Sequence, residues 1–363
     1  MRTQPPFRAD HVGSLLRPAV LKDARAKRLA PADLKTIEDR EIIQAIDKQR
    51  SVGLLAATDG EFRRAMWHFD FLEHLDGVES FTADHGILFK GGLETVAKGL
   101  RVTGEIGFST HPMLDHFRFL KENCRDLVAK MTIPSPSVLH FRGGRRAINP
   151  AIYPDINAFY LDLAEAYRLA VVAFAEAGCR YLQLDEVNLT YLCDDEQRAG
   201  LRARGDDPDQ LPGIYAAMIN HAISGRPPGM VITMHLCRGN FRSSWIASGG
   251  YESVADVLFN QIDADAYFME YDTERAGGFE PLRLLPKNKI VVLGVISSKT
   301  GDLESKDDIK RRIDAAAKHV DIGQLCLSPQ CGFASTEEGN LLTEDQQWAK
   351  LARAVEVASE VWG

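Results

Sequence analysis

His235 and Cys237 stand two residues apart at the end of an apolar run, Met230-Val-Ile-Thr-Met-His235. On an extended strand alternate side chains share a face, so this imidazole and this thiol point the same way. By themselves they make half a metal site, and a buried thiol beside a hydrogen-bonded histidine is the plainer alternative. Two further donors shift that balance. Glu270 closes the run Ala266-Tyr-Phe-Met269, where an unpaired carboxylate is costly to bury, and Cys331 sits in the turn Ser328-Pro-Gln-Cys-Gly332. One imidazole, two thiols and one carboxylate are the N, S and O ligands that Zn²⁺ accepts in a tetrahedral site. Their spread over three strand ends differs from the paired spacing of structural zinc knuckles. Two thiolates lower the metal's net charge and make it a poor activator of water, so it suits holding a substrate thiol as its nucleophilic thiolate. The expected chemistry is alkyl transfer to a thiol.

Those donors must be brought together by the elements that carry them. Short apolar runs at 11–14, 54–59, 131–134, 180–185, 230–235, 266–269, 289–294 and 324–328 read as strands. Helical periodicity fills the gaps at 32–52, 156–178 and 305–320, and a Thr343-x-x-Gln346 capping box opens a last helix. Eight alternating units predict an α/β fold of the (β/α)₈ TIM barrel type, with an open doubly wound sheet as the alternative. A barrel collects its chemistry at the C-terminal strand ends. Ser14, Glu61, Asp185, the His235–Cys237 pair, Glu270, Lys299 and Cys331 all follow or end strands. Residues 61–110, rich in Gly and aromatics and with a further strand at 100–106, read as a long insertion after the second strand, lying over the active-site face. No linker or composition break divides 1–363 into two domains.

Composition narrows the class. The chain has 363 residues, 43 basic against 51 acidic, a net charge of −8. No apolar run approaches the roughly 18–20 residues of a membrane span, and the first residues lack the apolar stretch of a secretory signal. An acidic balance without basic blocks argues against nucleic acid as a partner. Six cysteines without framework spacing suit a reducing compartment. The expectation is a cytoplasmic protein, without nucleic-acid or membrane partner, whose oligomeric state the sequence leaves open.

Together, His11-Val-Gly-Ser14, Asp59-Gly-Glu61, Gln183-Leu-Asp-Glu186, His235-Leu-Cys237, Phe268-Met-Glu270 and Ser328-Pro-Gln-Cys-Gly-Phe333 resemble, in order and nearly end to end, the catalytic barrel of cobalamin-independent methionine synthases, in its short single-barrel form. The resemblance implies a zinc-dependent S-methyltransferase of methionine biosynthesis, with His235, Cys237, Glu270 and Cys331 as ligands. Homocysteine would be the acceptor and a methyl-folate, or another methyl donor, the donor. It also implies that Val12, Gly13 and Ser14 hold the homocysteine carboxylate, while Glu61 and Asp185 meet its ammonium. A salt bridge to Arg63 or Arg64 is the plainer role for Glu61. The resemblance is incomplete in three respects. The N-terminal barrel of the long synthases has no counterpart expected in these residues. The histidine that protonates the departing folate falls on Lys299, the candidate general acid. The tryptophan that stacks on the pterin is missing from 131–137.

Arg238 and Arg242, just after the metal pair, are candidate clamps for a substrate anion. Trp67-His-Phe-Asp-Phe71 offers either an aromatic wall for a donor or simple packing. Two rival functions follow. One keeps the zinc and changes the electrophile, as in epoxyalkane–coenzyme M transfer, with the two arginines on the sulfonate. The other is a non-catalytic zinc or thiol binder.

Overall fold

The computed structural model, which describes residues 2–363, has strands β1 (Ala56–Ala57), β2 (Asp76–Thr82), β3 (Lys98–Gly107), β4 (Val128–Pro134), β5 (Tyr181–Glu186), β6 (Val231–Leu236), β7 (Ala266–Glu270), β8 (Ile290–Ile296) and β9 (Leu325–Pro329). Seven of them form one curled sheet in the order β1-β4-β5-β6-β7-β8-β9, with every neighbouring pair parallel. The interior strands are buried along almost their whole length. This explains their continuous apolar runs rather than an alternating pattern.

The expected first strand is not a ladder strand. Residues 8–15 instead thread between the sheet's two edges. On the β9 side Ala9 bridges Leu327 in parallel, and Asp10 N donates to Leu327 O at 3.0 Å. On the β1 side Leu15 N donates to Gly60 O at 3.0 Å, and Thr58 Oγ1 donates to Gly13 O at 2.6 Å. Gly13 breaks the ladder: its φ of +142° is glycine territory, and a Cβ there would stand 2.7 Å from Thr132 Cγ2. The expected second strand, 54–59, shrinks to Ala56–Ala57 because a side chain takes over its hydrogen bonds. Gln49 Oε1 accepts from Thr58 N at 3.0 Å, and Gln49 Nε2 donates to Thr58 O at 2.9 Å.

Of the helices Pro31–Ser51, Ile156–Glu176, Leu211–Ile223, Lys306–Ala316 and Glu344–Trp362, the first precedes β1, the last follows β9 and the other three lie in connections between sheet strands. The second of them starts where Asp155 accepts from Asn157 N and buries Phe159, Leu163, Ala166, Ala170 and Phe174 along one face. Thr343 and Gln346 form the expected capping box. The largest buried cluster joins these helix faces to the sheet, from Leu15 to Val357. Among the described residues no helix is long and apolar enough to cross a membrane.

Within 61–110 lie the short helix Phe69–Leu72 and an antiparallel hairpin, β2 with β3. The strand expected at 100–106 is the core of β3.

Parallel register sets the functional rim. Asp185 pairs with His235, His235 with Phe268, Glu270 with Gly294, and Gly294 with Ser328, so the polar ends of β5, β6, β7 and β9 finish at one level.

Candidate metal centre and substrate pocket

At that rim the ligand atoms of His235, Cys237, Glu270 and Cys331 all lie within 4.8 Å of one another, and all four side chains are buried. Cys237 Sγ is 3.5 Å from Cys331 Sγ, and His235 Nε2 is 3.4 Å from Cys331 Sγ. A tetrahedral zinc with bonds of about 2.0–2.3 Å has edges of roughly 3.3–3.8 Å; the Cys237–Cys331 and His235–Cys331 separations match such edges, and the four donors are of the N, S and O types the ion takes. His235 Nδ1 lies 3.3 Å from Phe268 O, and donating there leaves Nε2 as the free lone pair. Gly239 N donates to Cys237 Sγ at 3.3 Å.

The two sulfurs share charge unequally. A hydrogen bond from Cys237, with His235 close by, holds Cys331 well below the ordinary thiol range despite its burial. The same hydrogen bond and burial push Cys237 up. Burial pulls His235 down, but the neighbouring Cys331 outweighs it and the net shift is upward.

Glu270 is fully buried and already engaged. Its Oε1 accepts from Arg238 N at 3.1 Å, and its Oε2 accepts from Arg275 Nη2 at 2.9 Å and Gln330 Nε2 at 3.3 Å.

A cavity of about 570 Å³ runs from His235, Cys237 and Cys331 to Ser14, Glu61 and Asp185, with Val12 and Gly332 also on its wall. Glu61 carries two roles. Its Oε1 accepts from Thr132 Oγ1 at 2.9 Å and stands 3.4 Å from Arg64, so the expected salt bridge exists. Its Oε2 is buried with no partner among the described residues. Burial pushes Glu61 above the usual carboxylate range, against the pull of Arg64 and Arg17. Asp185, bonded by Gln183 Nε2 at 2.7 Å, is pushed up to about 7, by burial first and by Glu61 as well, with His235 opposing. Two buried carboxylates with an orphan oxygen make a receptor for a cation, such as an ammonium.

Other expected residues lie elsewhere. Arg238 is fully buried over the Tyr251 ring, 4.4 Å from its centroid, and its guanidinium does not line the cavity. Arg242 is exposed in a turn with φ +47° and is also off the wall. A cation this close to the metal pair in sequence was expected to face the substrate, but the turn after β6 directs both away. Lys299 Nζ donates to Asn240 Oδ1 at 2.9 Å and Gly239 O at 3.3 Å. Asn240 and Gly239 line the cavity, and Lys299 stands behind them. His140 is satisfied by Tyr215 and Tyr160, whereas neither ring nitrogen of buried His11 has a partner.

Of the aromatic run that the sequence offered as a wall or as packing, Trp67 and His68 line the cavity and Phe71 is core. Arg142 lines it from helix Ser137–Gly143 and Arg275 backs Glu270. Nothing in their local sequence marks these two arginines as neighbours of the site.

The profile of the family described as "Cobalamin-independent synthase, Catalytic domain" matches residues 14–360. The chain is 50% identical to the uncharacterised protein YxjH of Bacillus subtilis, over 98% of this chain and 95% of that one. It is 23% identical to a methionine synthase of Pyrococcus abyssi, over 83% and 80% of the two chains. Among solved structures, a putative vitamin-B12 independent methionine synthase from Listeria monocytogenes aligns with TM-score 0.81 and 43% identity over the whole of both chains. A B12-independent methionine synthase from Shewanella sp. W3-18-1, in complex with selenomethionine, aligns with TM-score 0.73 and 19% identity over 98% and 97%.

Proposed function

Since the chain belongs to the cobalamin-independent methionine synthase family, we propose that it is a zinc-dependent S-methyltransferase built on a single (β/α)₈ barrel, which methylates homocysteine to methionine with 5-methyltetrahydrofolate as donor. One observation carries this reading: a single cavity has a thiol-rich donor cluster at one end and a cation receptor with an orphan oxygen at the other. An amino acid whose side chain ends in a thiol satisfies both ends at once.

His235, Cys237, Cys331 and Glu270 would hold zinc, which when bound lowers the substrate thiol's pKa and keeps its thiolate available for attack. The rest is work for the protein. Glu61 Oε2 and Asp185 take the substrate ammonium, and Ser14 with the backbone of Val12 and Gly13 takes its carboxylate. Thr132 and Arg64 keep Glu61 aimed. Phe268 O keeps the His235 ring in one tautomer and orientation. Arg275 Nη2 donates to Glu270 Oε2 and would remain its partner whether or not Glu270 holds the ion. Displacement at a methyl carbon depends chiefly on alignment, which a buried and largely pre-formed cavity supplies. Lys299 positions Asn240 and Gly239, and we assign it no proton transfer.

Transfer to coenzyme M needed Arg238 and Arg242 on the sulfonate, and neither guanidinium reaches the cavity. The test is direct. Zinc-loaded protein incubated with homocysteine and 5-methyltetrahydrofolate should yield methionine, and Glu61→Gln should raise the KM for homocysteine. Unchanged turnover in that variant would remove the amino-acid reading.

A further inference from the structure

Moving a methyl group from a nitrogen to a thiol also moves a proton. The thiol gives one up as it becomes the nucleophile, and the nitrogen leaves readily only when it gains one. Lys299 is held behind the cavity by Asn240 and Gly239. Of the titratable groups on the wall, His235, Cys237 and Cys331 belong to the donor cluster, and the proposed reaction uses Glu61 and Asp185 for the ammonium. Arg142 does not release its proton. Burial pushes the Tyr191 hydroxyl up to about 12, so it stays protonated and is no base. His68 remains. Its ring is 1% exposed, and neither nitrogen has a hydrogen-bond partner among the described residues. Two buried polar atoms without partners are costly, and these belong to a residue on the wall of the substrate cavity. The ring is also held in place. It packs against Trp67 and Phe69, at centroid distances of 4.6 and 4.2 Å. Trp67 N donates to Ser335 O at 2.9 Å and Met66 bridges Thr336, which ties this segment to the loop that follows Cys331. The Asp70 carboxylate accepts from Ala65 N at 3.0 Å and Met66 N at 2.9 Å, closing the turn around His68.

We propose that His68 is a catalytic residue, the proton relay between the acceptor thiol and the leaving atom of the methyl donor. The inference rests on the methyltransferase reading, since it needs a methyl group to pass between two substrates. The sulfur–carbon bond forms as the bond from that carbon to the donor nitrogen breaks, and the nitrogen keeps the electron pair. The thiol proton passes to one ring nitrogen of His68, the other ring nitrogen gives its proton to the departing nitrogen, and the imidazole ends neutral. Burial first, then Arg142 and Lys98, hold the ring neutral before reaction. That is the form which accepts at one nitrogen while the other carries a proton. Once the ring is protonated, the same two cations favour release of a proton, so it is passed on rather than stored.

The test compares two methyl donors on zinc-loaded protein. His68→Gln keeps a hydrogen-bonding group that cannot relay a proton. With homocysteine and 5-methyltetrahydrofolate its kcat should fall about hundredfold, while zinc content, melting temperature and the KM for homocysteine stay unchanged. With methyl iodide, whose iodide leaves without a proton, the variant should keep most of the parent's rate. An unchanged kcat with the folate, or equal losses with both donors, would overturn the proposal. The parent supplies a second measurement that needs no variant to fold. Its single-turnover methyl transfer should slow in D2O with the folate and much less with methyl iodide, and equal isotope effects would also overturn the relay. Failure of the underlying reading looks different: a parent that forms no methionine from the folate removes that reading, and the relay with it, before any variant is made.

Discussion

Arg275 Nη2 lies 2.9 Å from Glu270 Oε2 and 3.0 Å from Asp272 Oδ1, so the one carboxylate among the four clustered donors is tied to a cation outside the cluster. The sulfurs and the imidazole have no comparable outside charge. Glu270 is therefore the donor with somewhere else to go, and Arg275 sets how firmly it stays.

Arg275→Gln should leave a buried carboxylate without its counter-ion, a loss of about 3 kcal/mol in the metal-free protein. Zinc should restore part of that, so the melting temperature should rise more on zinc addition in the variant than in the parent. Equal shifts in the two proteins would show that Arg275 does not govern Glu270.

Metal content is the second check. The parent should carry one zinc per chain by elemental analysis, and Cys331→Ser or Cys237→Ser should lower zinc affinity by well over tenfold, because a hydroxyl replaces a thiolate ligand. Full retention of zinc in both variants would place the ion elsewhere.

Gly13→Ala tests the turn that shapes the substrate end. The new Cβ meets Thr132 Cγ2 at 2.7 Å, in a backbone region that side chains rarely adopt. Thr132 holds Glu61 Oε1, so the shift propagates to the ammonium receptor. A cost of about 1–3 kcal/mol in stability and a raised KM for homocysteine are expected. Thermal denaturation together with steady-state kinetics reads both.

Acid should destabilise the fold in a defined window. Burial lowers His111 and His140 from 6.5 to about 4. A depressed folded-state pKa gives stability that is complete above 6.5 and is lost as the pH falls toward 4, because the unfolded chain binds protons first. His111 shows the structural cost. Its Nδ1 accepts from Met113 N at 3.1 Å as the cap of helix Pro112–Cys124, and its Nε2 reaches Phe71 O at 3.0 Å, so a second ring proton breaks the cap. Denaturant midpoints should fall between pH 6.5 and 4, and His111→Asn should flatten that dependence.

The metal donors were legible in the chain because their chemistry is local. His235 and Cys237 share a strand face, Glu270 ends an apolar run, and a Pro-Gln-Cys-Gly turn presents Cys331. Most of the sheet was legible for a similar reason: strands buried on both faces announce themselves as continuous apolar runs. The edge was not. Gln49 takes the hydrogen bonds of Thr58, and Gly13 turns the chain at 8–15, so two expected strands became a two-residue strand and an irregular connection. Only the tertiary structure decided what each cation faces. Arg238 and Arg242, next to the donors in sequence, turn away from the cavity, while Arg142, from helix Ser137–Gly143, and Arg275, from the turn after β7, enter its surroundings. Types and spacing determine which ligands one strand can offer. Direction across a loop depends on backbone turns and on the packing of the whole rim, and no short stretch of sequence contains those.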